Sequence, residues 1–121
     1  MQLILDHQQR LNLGALLGAQ KANVSEMRAF WKLIDRFELS EEEKRAIGYK
    51  VELVNGQEAV MWDRTLKLAP KPFEVTEIEG TRLRKAIDEW PYFMTSADRL
   101  WLEPLLAQLP EAAQNGQPKM P

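Results

Sequence analysis

The sequence predicts a single α+β domain, mainly α, with about five helices and one β-hairpin, and three observations carry that prediction. A short polar residue followed three positions later by an acid or amide recurs at Asp6/Gln9, Asn23/Glu26, Ser40/Glu43, Thr76/Glu79 and Thr95/Asp98, and each pair opens a stretch with helical apolar spacing. Between the third and fourth of these, alternating apolar positions flank Asn55-Gly56, the strongest short hairpin signal because both residues tolerate positive φ. A chain of 121 residues buries about two-thirds of its unfolded surface, enough for one core without metal or disulfide support.

The elements follow in order. The first helix runs from about His7 to Gln20, with Leu13, Leu16 and Leu17 as its apolar stripe. Gly14 and Gly18, beside Ala15 and Ala19, form a strip almost without side chains, where either the central or the last helix packs closely or a second copy of the chain associates. The central helix, Asn23 to Phe37, has Val24, Met27, Trp31 and Ile34 on one line, widened by Phe30 and Phe37. These six residues are expected to form the floor on which the first helix, the hairpin and the last two helices rest. The two helices make a helical hairpin over 6–37. A short third helix, 40–47, places Glu41, Glu42 and Glu43 in its first turn and Lys44 and Arg45 later, the order favoured by the helix dipole, and Gly48 stops it.

From Tyr49 the period changes to two, which predicts a β-hairpin over 49–62 whose apolar face must rest on the helices or pair with another strand. Residues 63–75 form a loop in which Pro70 and Pro72 forbid a regular helix, while Phe73 and Val75 either supply a third short strand or run extended past the core. A helix over 77–90 carries Leu83, Ala86, Ile87 and Trp90 on one face and ends before Pro91. The last helix, 96–109, turns Leu102, Leu105, Leu106 and Leu109 inward with Trp101 nearby, and Pro104 should kink or restart it. Residues 110–121 read as a disordered tail outside the globular part, 1–109.

Composition and motif spacing remove most chemistries. No cysteine is present, so disulfides, thiolate nucleophiles and thiolate zinc sites are excluded together. The run Leu3 to Leu5 is too short, and lacks a preceding basic residue, for a signal peptide, and no stretch suits a transmembrane helix, so a cytoplasmic location without membrane partners is expected. His7, the single histidine, stands at the start of a helix and reads as an ordinary surface residue. Ser25, Ser40 and Ser96 lie at helix starts, where capping accounts for them. Glycine-rich phosphate loops, separated carboxylate pairs and metal-ligand clusters are missing, so neither enzymatic activity nor a cofactor or metal is expected. The formal charge of −2 is evenly interleaved. Arg28, Lys32 and Arg36 align on the central helix, and Arg82, Arg84 and Lys85 cluster on the fourth as candidate anion contacts, but neighbouring acids oppose a nucleic-acid role for either group.

The order LLGAQ, FWKLIDRFELSEEEKRAIGY, NGQ and MWD, followed by a terminal helical segment, resembles a loose group of small proteins encoded in tailed-phage and prophage genomes. Those proteins share a leucine-rich first helix ending near a glutamine, a basic-apolar-acidic second helix, an acidic third helix and a Trp-Asp after a short hairpin. The likeness covers residues 10 to 63, with the remainder matching in outline and the proline-containing loop Arg64 to Pro72 being longer here. Its motifs are structural, so it brings no site residue. It implies a phage accessory or structural role in a bacterial cytoplasm.

The expected function is therefore non-catalytic protein–protein binding, modulating or inhibiting a host protein or assisting phage assembly. The candidate binding residues are Tyr49 and Trp62 on the hairpin, Phe73 in the loop, and Trp90, Tyr92 and Phe93 around Pro91, since interfaces favour aromatics that bury much area at low entropic cost; the alternative for most of these rings is a place in the core. The alternative is a homo-oligomeric structural protein, or one that sequesters a small ligand or nucleotide, assembled through Gly14 and Gly18 or the hairpin edge.

Overall fold

Helix starts fall where the capping spacing puts them. The computed structural model describes residues 1–90 and 94–111. Within them Asp6, Ser40 and Thr76 each accept from the amide three residues on and receive the returning side chain of Gln9, Glu43 and Glu79. Asn23 caps by accepting from the Glu26 amide at 2.9 Å, but the Glu26 carboxylate takes the Asn23 side-chain amide rather than its backbone.

The elements are β1 (Gln2–Leu5), α1 (His7–Gly18), α2 (Val24–Phe37), α3 (Glu41–Ala46), β2 (Lys50–Val54), β3 (Gln57–Met61), β4 (Lys71–Glu74), α4 (Glu77–Asp88) and α5 (Arg99–Leu106), the last preceded by a 3-10 turn at Ser96–Asp98. The class is α+β, mainly α, as the sequence predicts, with two small antiparallel sheets, β1-β4 and β2-β3. The expected third strand exists but pairs elsewhere than with the hairpin. Leu3 lies opposite Phe73 and Leu5 opposite Lys71, and Met1 and Val75 exchange backbone hydrogen bonds at 2.9 Å beyond the ladder. The proline-containing segment is thus partly strand, and the N-terminal Leu3-to-Leu5 run is its partner. Leu3 and Leu5 point into the core while Gln2 and Ile4 point out, the alternation of a strand with one buried face.

α1 is the hub of the core, contacting α2, α4 and α5. Leu13, Leu16 and Leu17 belong to one core cluster with Phe30, Leu33 and Phe37 of α2, the β1 leucines, Phe73 and Val75, Leu83 and Ile87 of α4, and Trp101 and Leu105 of α5. This corrects the expected floor on α2. Successive helical residues advance by about 100°, so a face centred on Phe30, Leu33 and Phe37 carries Met27 and Ile34 at its margin and leaves Val24 and Trp31 outside it. Trp31 is 50% exposed. The expected line passed through Trp31 and omitted Leu33, which is fully buried.

Of the two outcomes expected at Pro104, a restart does not occur, because α5 runs through it as one helix. The missing donor frees the carbonyl one turn earlier, at Leu100, whose side chain is among the most exposed apolar groups. Asp98 accepts from the Thr95 amide at 2.8 Å and from the Trp101 indole at 3.0 Å, which sets the start of this helix. Of the expected disordered tail, 110–121, Pro110 instead packs beside Gly80 of α4, its Cδ 3.0 Å from where a Cβ there would stand, and the part from 112 on lies outside the described residues.

Candidate functional site

Two features of the chain open a groove on one side of α1. Gly14 and Ala15 give that side no bulk, and the positive φ of Gly48, +67°, ends α3 and turns the backbone into the hairpin. The result is a cavity of about 400 Å³ lined by Leu11, Gly14 and Ala15 of α1, Ile34 and Phe37 of α2, Leu39, and Tyr49, Val60 and Trp62 at the hairpin base. The expected close packing on the glycine strip does not occur. A Cβ at Gly14 or Gly18 would meet no atom within 4 Å, because α1 turns its leucines to the helices and its glycines to this open side.

The hairpin stands over the groove. Asn55 (φ +54°) and Gly56 (φ +79°) form its two-residue turn, and the register pairs Val51 with Val60 and Leu53 with Glu58. Residues of one pair share a face, so Tyr49, Val51, Leu53, Val60 and Trp62 lie together, with Glu58 beside Leu53 at the tip. Only the base of that face reaches the core side. Val51, Leu53, Val54, Val60 and Met61 are all exposed, Leu53 at 76%. The expectation that the apolar face rests on helices or on another strand therefore fails beyond the base formed by Tyr49, Val60 and Trp62. The turn orients the strands locally, and the third strand that would have covered them belongs to β1.

The floor of the groove is fixed by Arg10, for which the sequence carries no signal of burial. Its guanidinium is buried and donates to the Phe37 and Glu38 carbonyls at 2.8 Å each and to both oxygens of Glu43, at 2.6 and 3.1 Å, while lying 5.0 Å above the Phe73 ring. That fork clasps α1, the end of α2 and α3 together. Hydrogen bonds from the Arg10 guanidinium, with others from Ser40, hold the Glu43 carboxyl down at a pKa of about 2. A guanidinium with four acceptors is a structural clasp and has little left for a ligand. Lys44 stands at the rim, 5.2 Å from the Tyr49 ring centre, with Glu41 and Glu38 carboxylates at 3.6 and 3.9 Å. The groove is apolar with balanced charge at its edge.

Behind Trp62, Arg64 stacks on the indole at 3.9 Å. Beside it, His7 is 7% exposed rather than an ordinary surface residue, and its Nδ1 accepts from the Leu68 amide at 3.4 Å. Burial lowers its pKa, Asp6 opposes the shift, and Lys67 and Arg10 add to it. A histidine at a helix start gives no sequence signal of burial; here the returning loop before β4 covers it.

Of the residues expected to bind, the structure brings Tyr49, Trp62 and Gly14 to one groove. Gly18 is exposed beyond the groove lining. Phe73 is a core residue, edge-to-face with Phe37 at 5.4 Å, because its strand faces β1. Trp90 is half-buried against the core, and Tyr92 and Phe93 lie outside the described residues. The basic cluster on α4 divides: Arg84 bonds Asp88 at 3.2 Å and leans to the Leu106 carbonyl, whereas Arg82 and Lys85 face a shallow recess with Glu26 and Glu89. Arg82 also borders a recess with Arg28 and Lys32, so two basic groups distant in sequence share an edge. Arg36 of the central stripe is bound to Glu79 at 2.7 Å. Among the described residues no group of three or more His, Cys, Asp or Glu side chains is arranged to hold a metal ion, and no helix is long and apolar enough to cross a membrane. Compared with protein-family models, with curated proteins and with solved structures, the chain finds no match.

Proposed function

We propose that the protein is a non-catalytic binding protein that takes an apolar anchor of another protein into the groove between α1, α2 and the hairpin. The observation that carries this reading is the juxtaposition of a half-open apolar cavity of about 400 Å³ with a hairpin whose Val51, Leu53 and Val60 remain exposed beside it. A cavity of that size accepts one or two large apolar side chains, and the overhanging hairpin face extends the contact into an interface with Tyr49 and Trp62 at its centre. The neutral rim and the saturated Arg10 favour an apolar anchor over an anionic one. A phage accessory role, in which the anchor belongs to a host or phage protein, rests on the resemblance carried by residues 10 to 63.

Filling the groove tests this directly. Gly14→Leu adds a side chain into open space and improves helix propensity, so the variant folds and melts no lower than the wild type. Its capture of the partners that the wild type retains from bacterial lysate, quantified by mass spectrometry, falls about tenfold or more. Undiminished capture by this variant overturns the reading. Retention of a small apolar compound instead of a protein, seen by native mass spectrometry, favours the ligand-sequestering alternative that the same cavity volume supports.

A further inference from the structure

The two sheets differ at their open edges. On β1, the outward amide and carbonyl of Ile4 are both taken by the Gln108 side chain, at 2.6 and 2.9 Å, so that edge is closed by a glutamine acting in place of a strand. Among the described residues no such cover exists on β2, where every residue from Lys50 to Val54 is exposed. In a two-residue hairpin the closing pair, Val54 with Gln57, exchanges both backbone bonds. By alternation Glu52 and Lys50 also bond across to β3, and the amides and carbonyls of Val51 and Leu53 point to the open edge. An uncovered edge of this kind is a template for another strand.

From this we infer that β2 pairs antiparallel with β2 of a second copy, about a two-fold axis at Val51. The register follows from the residues. With Val51 on the axis, Val51 meets its own copy as a hydrogen-bonded pair, Lys50 lies opposite the second copy's Glu52, and Leu53 lies opposite the second copy's Tyr49, whose amide is held by the Lys44 carbonyl at 2.9 Å so that only its carbonyl is left for the Leu53 amide. The apolar face becomes Tyr49, Val51 and Leu53 continued by the same three residues in reverse order. On the other face Lys50 and Glu52, already 2.8 Å apart within one chain, form a square of alternating charge with their copies. Shifting the axis to Glu52 would set two carboxylates against each other. Pairing β3 about Ala59 would set Glu58 against Val60 on the apolar face. The Val51 register sets opposite charges and apolar side chains across the axis and engages the outward backbone groups of Val51 and Leu53. The pairing goes beyond the groove reading, since it uses the strand edge and leaves one groove free in each copy.

Charge reversal tests it with an internal control. The wild type, 14.0 kDa as one chain, is expected to reach twice that mass in sedimentation velocity as its concentration rises. Lys50→Glu alone and Glu52→Lys alone each set like charges across the axis twice, and each weakens the dimer about tenfold or more. Mixed one to one, the two variants restore opposite charges across the axis while each keeps its like charges within the chain, so a mixed dimer returns with wild-type strength. Unchanged far-UV circular dichroism and melting confirm that these exposed positions leave the fold intact. A wild type that stays at single-chain mass at all concentrations, single variants that dimerise as the wild type does, or a mixture that remains monomeric each overturn the pairing.

Discussion

β1-β4 and β2-β3 are sheets of nearly the same size and type, two antiparallel strands of four or five residues, yet they stand in opposite relations to the rest of the chain. The first joins residues some seventy positions apart, buries Leu3, Leu5 and Phe73, and has its edge closed by Gln108. The second joins neighbours across a two-residue turn, exposes its apolar side chains, and has its edge uncovered among the described residues. A two-stranded sheet is barely stable alone in water. The first is stabilised by the core, and the second has its apolar side chains left for an occupant. Apolar content alone therefore does not mark a strand as core; what lies against it does.

The largest expected effect separates the two sheets by stability. Leu5→Ala removes a fully buried side chain from the core-facing strand and should cost about 2–5 kcal/mol in urea unfolding. Leu53→Ala, at a site 76% exposed, should change stability by less than about 0.5 kcal/mol when measured at low concentration, where the chain is monomeric. Comparable losses at the two sites would break the distinction and return the hairpin to the core.

Next in size is the Arg10–Glu43 clasp, which fixes the floor of the groove. Glu43 has a folded pKa of about 2 against an ordinary 4.5. A carboxyl with a lowered folded pKa adds stability that is fully present above its unfolded value and is lost as pH falls from about 4.5 towards 2. The loss should be on the order of 2 kcal/mol, the full shift discounted for the part of the carboxylate that water reaches. His7 works in the same sense in a higher window: its pKa lies below 6.5, so its share declines as pH falls below that value. Arg10→Met should remove the lower step and cost about 3 kcal/mol at neutral pH. A melting curve against pH in which the wild type and Arg10→Met run parallel below pH 4.5 would show that the clasp contributes nothing.

What the sequence made legible follows from the range of the interactions. Capping pairs and the Asn-Gly turn act over three or four residues, so the starts of α1, α2, α3 and α4 and the hairpin register are readable directly. β1 was not readable, since Leu3 and Leu5 have no neighbour of their own and acquire a partner only through β4. The Arg10 clasp was hidden for the same reason, because a buried arginine looks like any helical arginine until the Phe37 and Glu38 carbonyls are brought to it. Of the groove, Tyr49, Trp62 and Gly14 were identified as single residues, but their common location was not. Phe73 takes the core alternative, a choice left open because aromatic character does not distinguish a strand's buried side from its exposed one.

The smallest expected effect concerns the glycines on the two sides of the molecule. Gly14 sits in α1 with nothing within 4 Å of where a Cβ would stand, so Gly14→Ala should gain the helical preference of alanine, about 0.5–1 kcal/mol. Gly80 sits in α4, buried, where the same Cβ would lie 3.0 Å from Pro110 Cδ and 3.2 Å from Met1 Sδ. Gly80→Ala should therefore gain nothing or lose stability, since the proline and the methionine that close the β1 side must move to admit the methyl group. Thermal unfolding of the two variants side by side reads the difference. A Gly14→Ala variant that melts below the wild type would mean that the groove is filled in the folded chain, and with it the contrast between a closed β1-β4 side and an open hairpin side would collapse.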